Sequence, residues 1–303
     1  MARTTNSVAN DLLHREGLEY VVHLYSKDKT SYYKEIAPRT RTTKQRYIKV
    51  LQAGDLGMMP VVGQLQAIGF DDFSTPYSMD ARHYKRALGY AFSTESSEED
   101  LYNEIQTYGM KMALSSNKTK EQAAANMFNL ADAAATNGPD AVPWASNSHP
   151  YDGGVQDNRI TTALGITALE TAVQTMKRTL SHRGDPEPFV GPFMLMVPPE
   201  LEMLAKRLVN GTEQPQTANR ETNQVRGSIS SIHCNPYFTG TTAWGLKSAN
   251  ADEQGCVWLD RRPFRITEDK VPGLDGVAFF ATEIFGVYQD NWRGFLFSTG
   301  TGA

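Results

Sequence analysis

The sequence predicts an α+β fold, on three observations. Helical stripes with start signals crowd into the middle of the chain, roughly residues 97–210. Strand-like segments fill the last quarter, from Ser228 onward, instead of alternating with helices as they would around a parallel sheet. A glycine-rich stretch, Gln52 to Pro76, precedes an alternating segment, Tyr84 to Phe92, so a long hairpin stands before the first helix.

The elements follow in order. Residues 1–40 read as an N-terminal arm carrying one amphipathic stretch, in which Leu18, Val21, Val22 and Tyr25 share a face. Arg39 to Arg46 lead from it into a β-like segment at Tyr47, Ile48, Val50 and Leu51, so the arm spans 1–46. Gly54, Gly57, Gly63 and Gly69 rule out a long helix in the next stretch, whose apolar residues include Met58, Met59, Val61 and Val62. Tyr84, Arg86, Leu88, Tyr90 and Phe92 then alternate with His83, Lys85 and Ala87. Residues 47–92 therefore read as a two-armed hairpin whose return arm is this alternating segment.

A capping box at Ser96 to Glu99 opens a helix predicted over about 97–134, with Leu101, Ile105, Tyr108 and Met112 on one stripe. The stripe weakens at Ser115 to Lys118, where a bend is expected, and Thr119 with Gln122 offers a second cap. Asn137-Gly138-Pro139 closes the segment, and Thr167 to Glu170 caps a helix burying Leu169, Val173, Met176 and Leu180. Phe189 to Val197 is a continuous apolar run, the pattern of a strand covered on both faces. Pro198-Pro199-Glu200 starts a helix with Leu201, Leu204, Ala205 and Leu208 inward, which Gly211 stops. Gln214 to Gln224 is polar and reads as a loop. Strands follow at Ile229–Cys234, Trp244–Leu246, Cys256–Asp260, Gly276–Tyr288 and Phe295–Phe297.

Composition narrows the function. The 303 residues are 40% hydrophobic, and no window holds the ~20 apolar residues of a membrane span. Met1 to Ala9 carries no apolar h-region, so a cytoplasmic origin is expected. A net charge of −4 and a single basic stretch, Arg39 to Arg46, do not make a nucleic-acid face. The two cysteines, Cys234 and Cys256, lack the number and spacing of a disulfide scaffold or zinc cluster. No phosphate-cradling loop, HExxH or GxSxG pattern occurs. His149 with Asp152 and Asp157 is the most site-like group, and a cytoplasmic metal-dependent hydrolase using those three is the alternative it supports. Ordinary turn chemistry among its glycines and prolines explains the same residues without catalysis. His233 and Cys234 are neighbours on a strand and point to opposite faces, which excludes a nucleophile–base dyad. No catalytic, cofactor-binding or metal-binding residue is assigned, and no cofactor is expected.

Five stretches carry a resemblance. Ser146-Asn147-Ser148-His149-Pro150, Gly153-Gly154 and Asp157-Asn158-Arg159 form the first. Thr167 to Met176 and Met194 to Lys206 are the second and third. Asn235-Pro236-Tyr237-Phe238 with Ala243-Trp244 is the fourth, and Phe285-Gly286-Val287 with Asp290-Asn291-Trp292-Arg293-Gly294 closes the set. In this order, over roughly 20–298, they resemble the major capsid proteins of tailed double-stranded DNA bacteriophages. The resemblance is specifically to the Mu-like major head subunit group, with the Hong Kong 97-type fold.

That resemblance implies a division into an N-terminal arm (1–46), an extended loop (47–92), a peripheral domain with a spine helix (93–139), an axial domain (140–245) and return strands (246–303). It implies a structural subunit that self-assembles into pentamers and hexamers as an icosahedral head in the virion, enclosing double-stranded DNA without reading its sequence. Expected partners are further copies of the chain, a portal, a decoration protein and a separate scaffold, since no coiled-coil scaffolding segment precedes the arm. An encapsulin-like nanocompartment shell is the alternative within the same fold.

Overall fold

The structure is a computed structural model describing residues 31–52, 54, 56–71, 77–93, 95, 104–211, 223–250, 255–270 and 276–302. The arm's amphipathic stretch, the capping box at Ser96 to Glu99 and most of the 214–224 loop lie outside these residues. The class is α+β. Two sheets carry the body. The first holds β1 (Arg39–Thr42), β11 (Cys256–Lys270), β12 (Gly276–Gln289) and β4 (Tyr84–Ser93), in that order. The second is ordered β7 (Arg159–Ile160), β13 (Phe295–Ser298), β10 (Trp244–Ser248), β8 (Phe193–Val197) and β9 (Ile229–Cys234). Two small ribbons stand apart, β2 (Tyr47–Gln52) with β3 (Tyr77–Arg82), and β5 (His149–Tyr151) with β6 (Gly154–Gln156). Among the described residues four α-helices complete the fold: α1 (Tyr33–Ile36), α2 (Glu104–Asn129), α3 (Ile166–Lys177) and α4 (Pro199–Asn210).

The five-stranded sheet is a wall between two cores, and strand period explains how. On β13, Phe295 and Phe297 face the core under α2, while Leu296 faces the core under α3 and α4. On β8, Met196 joins the first core and Phe193, Leu195 and Val197 the second. A strand buried on both faces has no room for polar residues, which is why Phe193–Val197 reads as a continuous apolar run. In the first core Trp144 stacks on Phe295 at 3.8 Å and Phe128 on Phe238 at 4.1 Å.

α2 runs unbroken through the segment where a bend was expected. The Thr119 hydroxyl caps nothing; it donates to the Ser115 carbonyl one turn back, 2.8 Å. The helix ends at Asn129, five residues before the sequence limit, and Ala134–Thr136 is a separate 3-10 turn. Tyr108 is half-exposed and leans on Tyr90 of β4. Similarly, α3 starts after Gly165 with no side-chain cap, so Thr167 lies inside it. Leu169, Ala172, Val173 and Met176 form its buried face, while Leu180 lies past its end. α4 opens with Pro198 at the cap and Pro199 in the first turn, and ends at Gly211.

The largest departure concerns the hairpin. The antiparallel partner of β2 is Tyr77–Arg82, not the alternating segment. After His83 the chain turns a corner, and β4 pairs with β12 from Tyr84↔Phe285 to Ser93↔Gly276. Gly286 makes the corner possible: a Cβ there would lie 2.4 Å from the Arg82 carbonyl oxygen. The alternation at 84–92 marks a strand, as read, but period alone cannot name its partner.

Candidate functional site

Three places stand out: a projecting loop, a fixed arm root and a buried polar joint built on His149. The loop rises from the β2–β3 ribbon, whose own core is small. Val50 and Ala81 pack on Val257, Leu259 and Tyr288. Beyond it, residues 56–71 leave the body. Met59, Val61, Leu65 and Phe70 are 97%, 101%, 108% and 101% exposed, so they touch almost nothing of their own chain. Leu56, Met58 and Ile68 are also exposed. Single exposed apolar residues are ordinary, whereas a contiguous run marks an interaction surface.

The arm root is α1, and every end of this short helix is held. Oε1 of Glu121, on α2, accepts the Tyr32 amide at 3.1 Å, at the helix's amino end. Lys247, fully buried on β10, donates to the Glu35 carbonyl at 3.1 Å and to that of Ile36, at the other end. A cation is well placed on the carbonyls of a helix C-terminus. Glu35 pairs with the buried His233 of β9, Tyr33 packs on Trp258 at 4.7 Å, and Ile36 is wholly buried. Farther on, Arg39 meets Asp290 at 2.6 Å, and β1 runs parallel to β11 from Arg39↔Val257 to Thr42↔Asp260. These polar groups bear the cost of burial. Desolvation pushes the Glu121 carboxyl up to about 7, against the pull of the Tyr32 and Tyr33 amides, and pushes the Lys247 ammonium down to about 8. It also raises the thiol of buried Cys256 to about 12 and that of Cys234 in the same direction, so neither favours the thiolate. Both cysteines are free thiols.

The joint is built on His149, which is fully buried at the start of β5. Its Nδ1 donates to Asp140 at 2.7 Å, and its Nε2 lies 3.2 Å from Oδ1 of Asn158. Asn158 cannot turn its amide to suit, because Nδ2 already donates to the Trp144 and Phe295 carbonyls while Oδ1 accepts the Ser146 amide. Both ring nitrogens thus lie against side-chain oxygens, which fixes the orientation of the ring. The ring stacks on Trp292 at 4.1 Å and 10°. Arg293, next in sequence, donates from Nε to the Leu180 carbonyl at 2.9 Å.

The three residues of the hydrolase alternative are placed differently from one another. His149 is engaged by Asp140 and Asn158, while Asp152 is exposed and pairs with His182 at 3.3 Å, and Asp157 is exposed. The three residues read as one group have different surroundings. Among the described residues no cluster of three His, Cys, Asp or Glu side chains is arranged to hold a metal ion. The residues of these motifs instead converge as packing: His149 and Asn158, from the middle of the chain, meet Trp292 and Arg293 from near its end, and the Trp244 indole donates to the Thr162 carbonyl at 3.0 Å.

Sequence reasoning missed Glu121, Asp140 and Lys247, and also Asp71 and Arg183, which meet across the chain. Two of these left a trace. Glu121 lies on the same helical stripe as Ala124, Ala125 and Phe128, and Lys247 interrupts an otherwise apolar strand. A charge at a core-facing position must find a partner or a carbonyl cage.

A family model described as phage capsid protein matches residues 76–297. A search of the curated proteins finds no match. Among solved structures, the capsid of the cyanophage P-SCSP1u is similar with a TM-score of 0.59 at 12% identity, covering 89% of this chain and 88% of that one. The mature capsid of bacteriophage PhiM1 is similar at 0.58 and 11%, covering 89% and 87%. The SrpI encapsulin of Synechococcus elongatus PCC 7942 follows at 0.52 and 11%, covering 86% and 84%. The architecture is therefore the Hong Kong 97-type shell fold, a fold shared by phage heads and encapsulins. With the family model spanning well over half its length, the chain belongs to the phage capsid protein family and is a structural shell protein of the virion.

Proposed function

We propose that this chain is the major head subunit, assembling as pentamers and hexamers into a closed icosahedral shell around double-stranded DNA, and that it catalyses nothing. Residues 47–92 supply the extended loop and its root, 93–139 and 246–303 the peripheral domain, 140–245 the axial domain, and 1–46 the arm. The observation that carries this reading is the exposed apolar run of residues 56–71. Such a surface is a liability on a monomer and finds its burial on a neighbouring copy. Assembly takes place in the host cytoplasm with a separate scaffold protein and a portal, two partners that the resemblance to the Mu-like group supports.

Negative-stain microscopy and sedimentation of the purified chain test the proposal. Closed particles, capsomers or tubes are expected, and a stable monomer or dimer at every salt and protein concentration overturns it. Nucleic acid inside particles made during infection separates a head from an encapsulin-like shell, which would hold cargo protein instead.

A further inference from the structure

The neck of the extended loop is tied to the body at one carboxylate. Oδ2 of Asp71, on the return side, accepts the Gly57 amide of the outbound side at 2.8 Å. Both oxygens of the same carboxylate lie 2.8–2.9 Å from Nη1 of Arg183. One side chain thereby joins the two sides of the loop to the segment between α3 and β8.

Arg183 stands on a firm base. The turn around it is closed by the Ser181 amide on the Asp185 carbonyl, 2.7 Å, and by the Gly184 amide on the Ser181 carbonyl, 3.1 Å. Gly184 has φ +88°, a conformation that favours glycine. The Asp152 amide donates to the His182 carbonyl at 2.8 Å, which fastens the turn to the β5–β6 ribbon. A second contact from the loop root lands one residue away: the Tyr77 ring meets that of His182 edge-on at 5.1 Å.

The β2–β3 ribbon has only six paired positions and a core of a few side chains. A two-stranded ribbon of that size is marginal by itself and does not aim a long loop. We propose that Arg183 is a positioning residue for assembly: by gripping Asp71 it sets the direction in which the extended loop leaves the subunit, before any neighbour is present. This rests on the shell reading above. The apolar run stays exposed while the grip is closed, so the contact does not hide the loop; it pre-aims it. A loop already held in its bound direction loses less freedom on docking, which lowers the concentration at which shells form.

Among the described residues it is Nη1 of Arg183 that meets both Asp71 oxygens, a contact the lysine ammonium can reproduce and glutamine, being uncharged, cannot. It is part-exposed, so salt weakens it and its removal leaves the fold intact. The test uses the full chain with Cys234→Ser and spin labels on Val61→Cys in the loop and Met203→Cys on α4, both exposed sites. In unassembled subunits Arg183 and Arg183→Lys are expected to give one narrow distance distribution. Arg183→Gln broadens it, and 1 M salt broadens the Arg183 protein toward the Gln pattern. In the unlabelled proteins Arg183→Gln raises the threshold concentration for closed particles at least threefold, with an unchanged melting temperature. Asp71→Asn, which keeps an acceptor for Gly57, should behave as Arg183→Gln does and serves if that variant folds poorly. The same distribution and threshold in Arg183→Gln and the parent overturns the inference. Absence of particles from the parent itself counts against the shell reading, and the distance measurement still decides the grip.

Discussion

Glu121→Gln should make the subunit markedly more stable at pH 8 and only slightly more stable at pH 5. The carboxyl of Glu121 lies under the arm root, with Oε1 on the Tyr32 amide and Oε2 buried without a hydrogen-bond partner. Burial moves it from 4.5 to about 7, and Glu35 nearby adds to the rise. A carboxyl whose folded value exceeds its unfolded value binds more protons in the folded state between the two. Its contribution is thus fully present below about 4.5 and is lost as pH rises through about 7. The difference between 4.5 and 7 corresponds to roughly 3 kcal/mol, at about 1.4 kcal/mol for each tenfold change. Glutamine keeps the shape and the acceptor for Tyr32 and carries no charge, so it escapes that loss. For a chain of this size, with a melting shift of about 2 °C per kcal/mol, the variant should melt about 6 °C above the parent at pH 8 and only about 2 °C above it at pH 5. Calorimetry of unassembled subunits across that range is the assay. A gap that stays constant from pH 5 to 8 would refute the reasoning, because it would mean the carboxylate is charged throughout.

Two further outcomes follow from the geometry. His149→Ala leaves the Asp140 carboxylate buried without its partner, and should cost about 3–5 kcal/mol in denaturant unfolding while changing no activity; a cost below about 1 kcal/mol would show that the joint does not depend on the pair. Chymotrypsin should cut unassembled subunits in 56–71, at sites such as Leu65 and Phe70, and spare them in closed particles, whereas trypsin should leave Lys85 and Arg86 intact in both because they lie within the β4–β12 ladder. Equal chymotrypsin cleavage in subunits and particles, read by mass spectrometry, would remove the loop from the interface.

The trypsin outcome shows where reading from sequence stops. The alternation at Tyr84 to Phe92 identifies a strand, but a strand's hydrogen bonds are satisfied by whichever edge lies beside it, and that edge is built some 190 residues later. Length differs for the same reason. Cys256–Lys270 runs well beyond the Asp260 limit read from sequence, because Gly276–Gln289, read to within one residue, lends it backbone partners that no side-chain pattern announces. Capping went wrong at Thr119 and Thr167 because a threonine inside a helix can donate to its own backbone, so its presence marks no boundary.

By itself the sequence determined what depends on neighbours along the chain. Stripe period specified α2, α3 and α4, prolines and glycine punctuated α4, and a run of apolar residues marked β8 as covered on both faces. The glycine-rich stretch announced a projecting loop, and the order of five short motifs announced the family. Tertiary structure alone decided what depends on charges meeting across the fold. Asp140 and His149, Glu121 and the Tyr32 amide, Lys247 and the end of α1, and Asp71 and Arg183 are each separated by different lengths of chain. Whether each charge is buried, paired or exposed is set by the packing around it, because an ionised group keeps its charge in a core only where folding brings a partner to it.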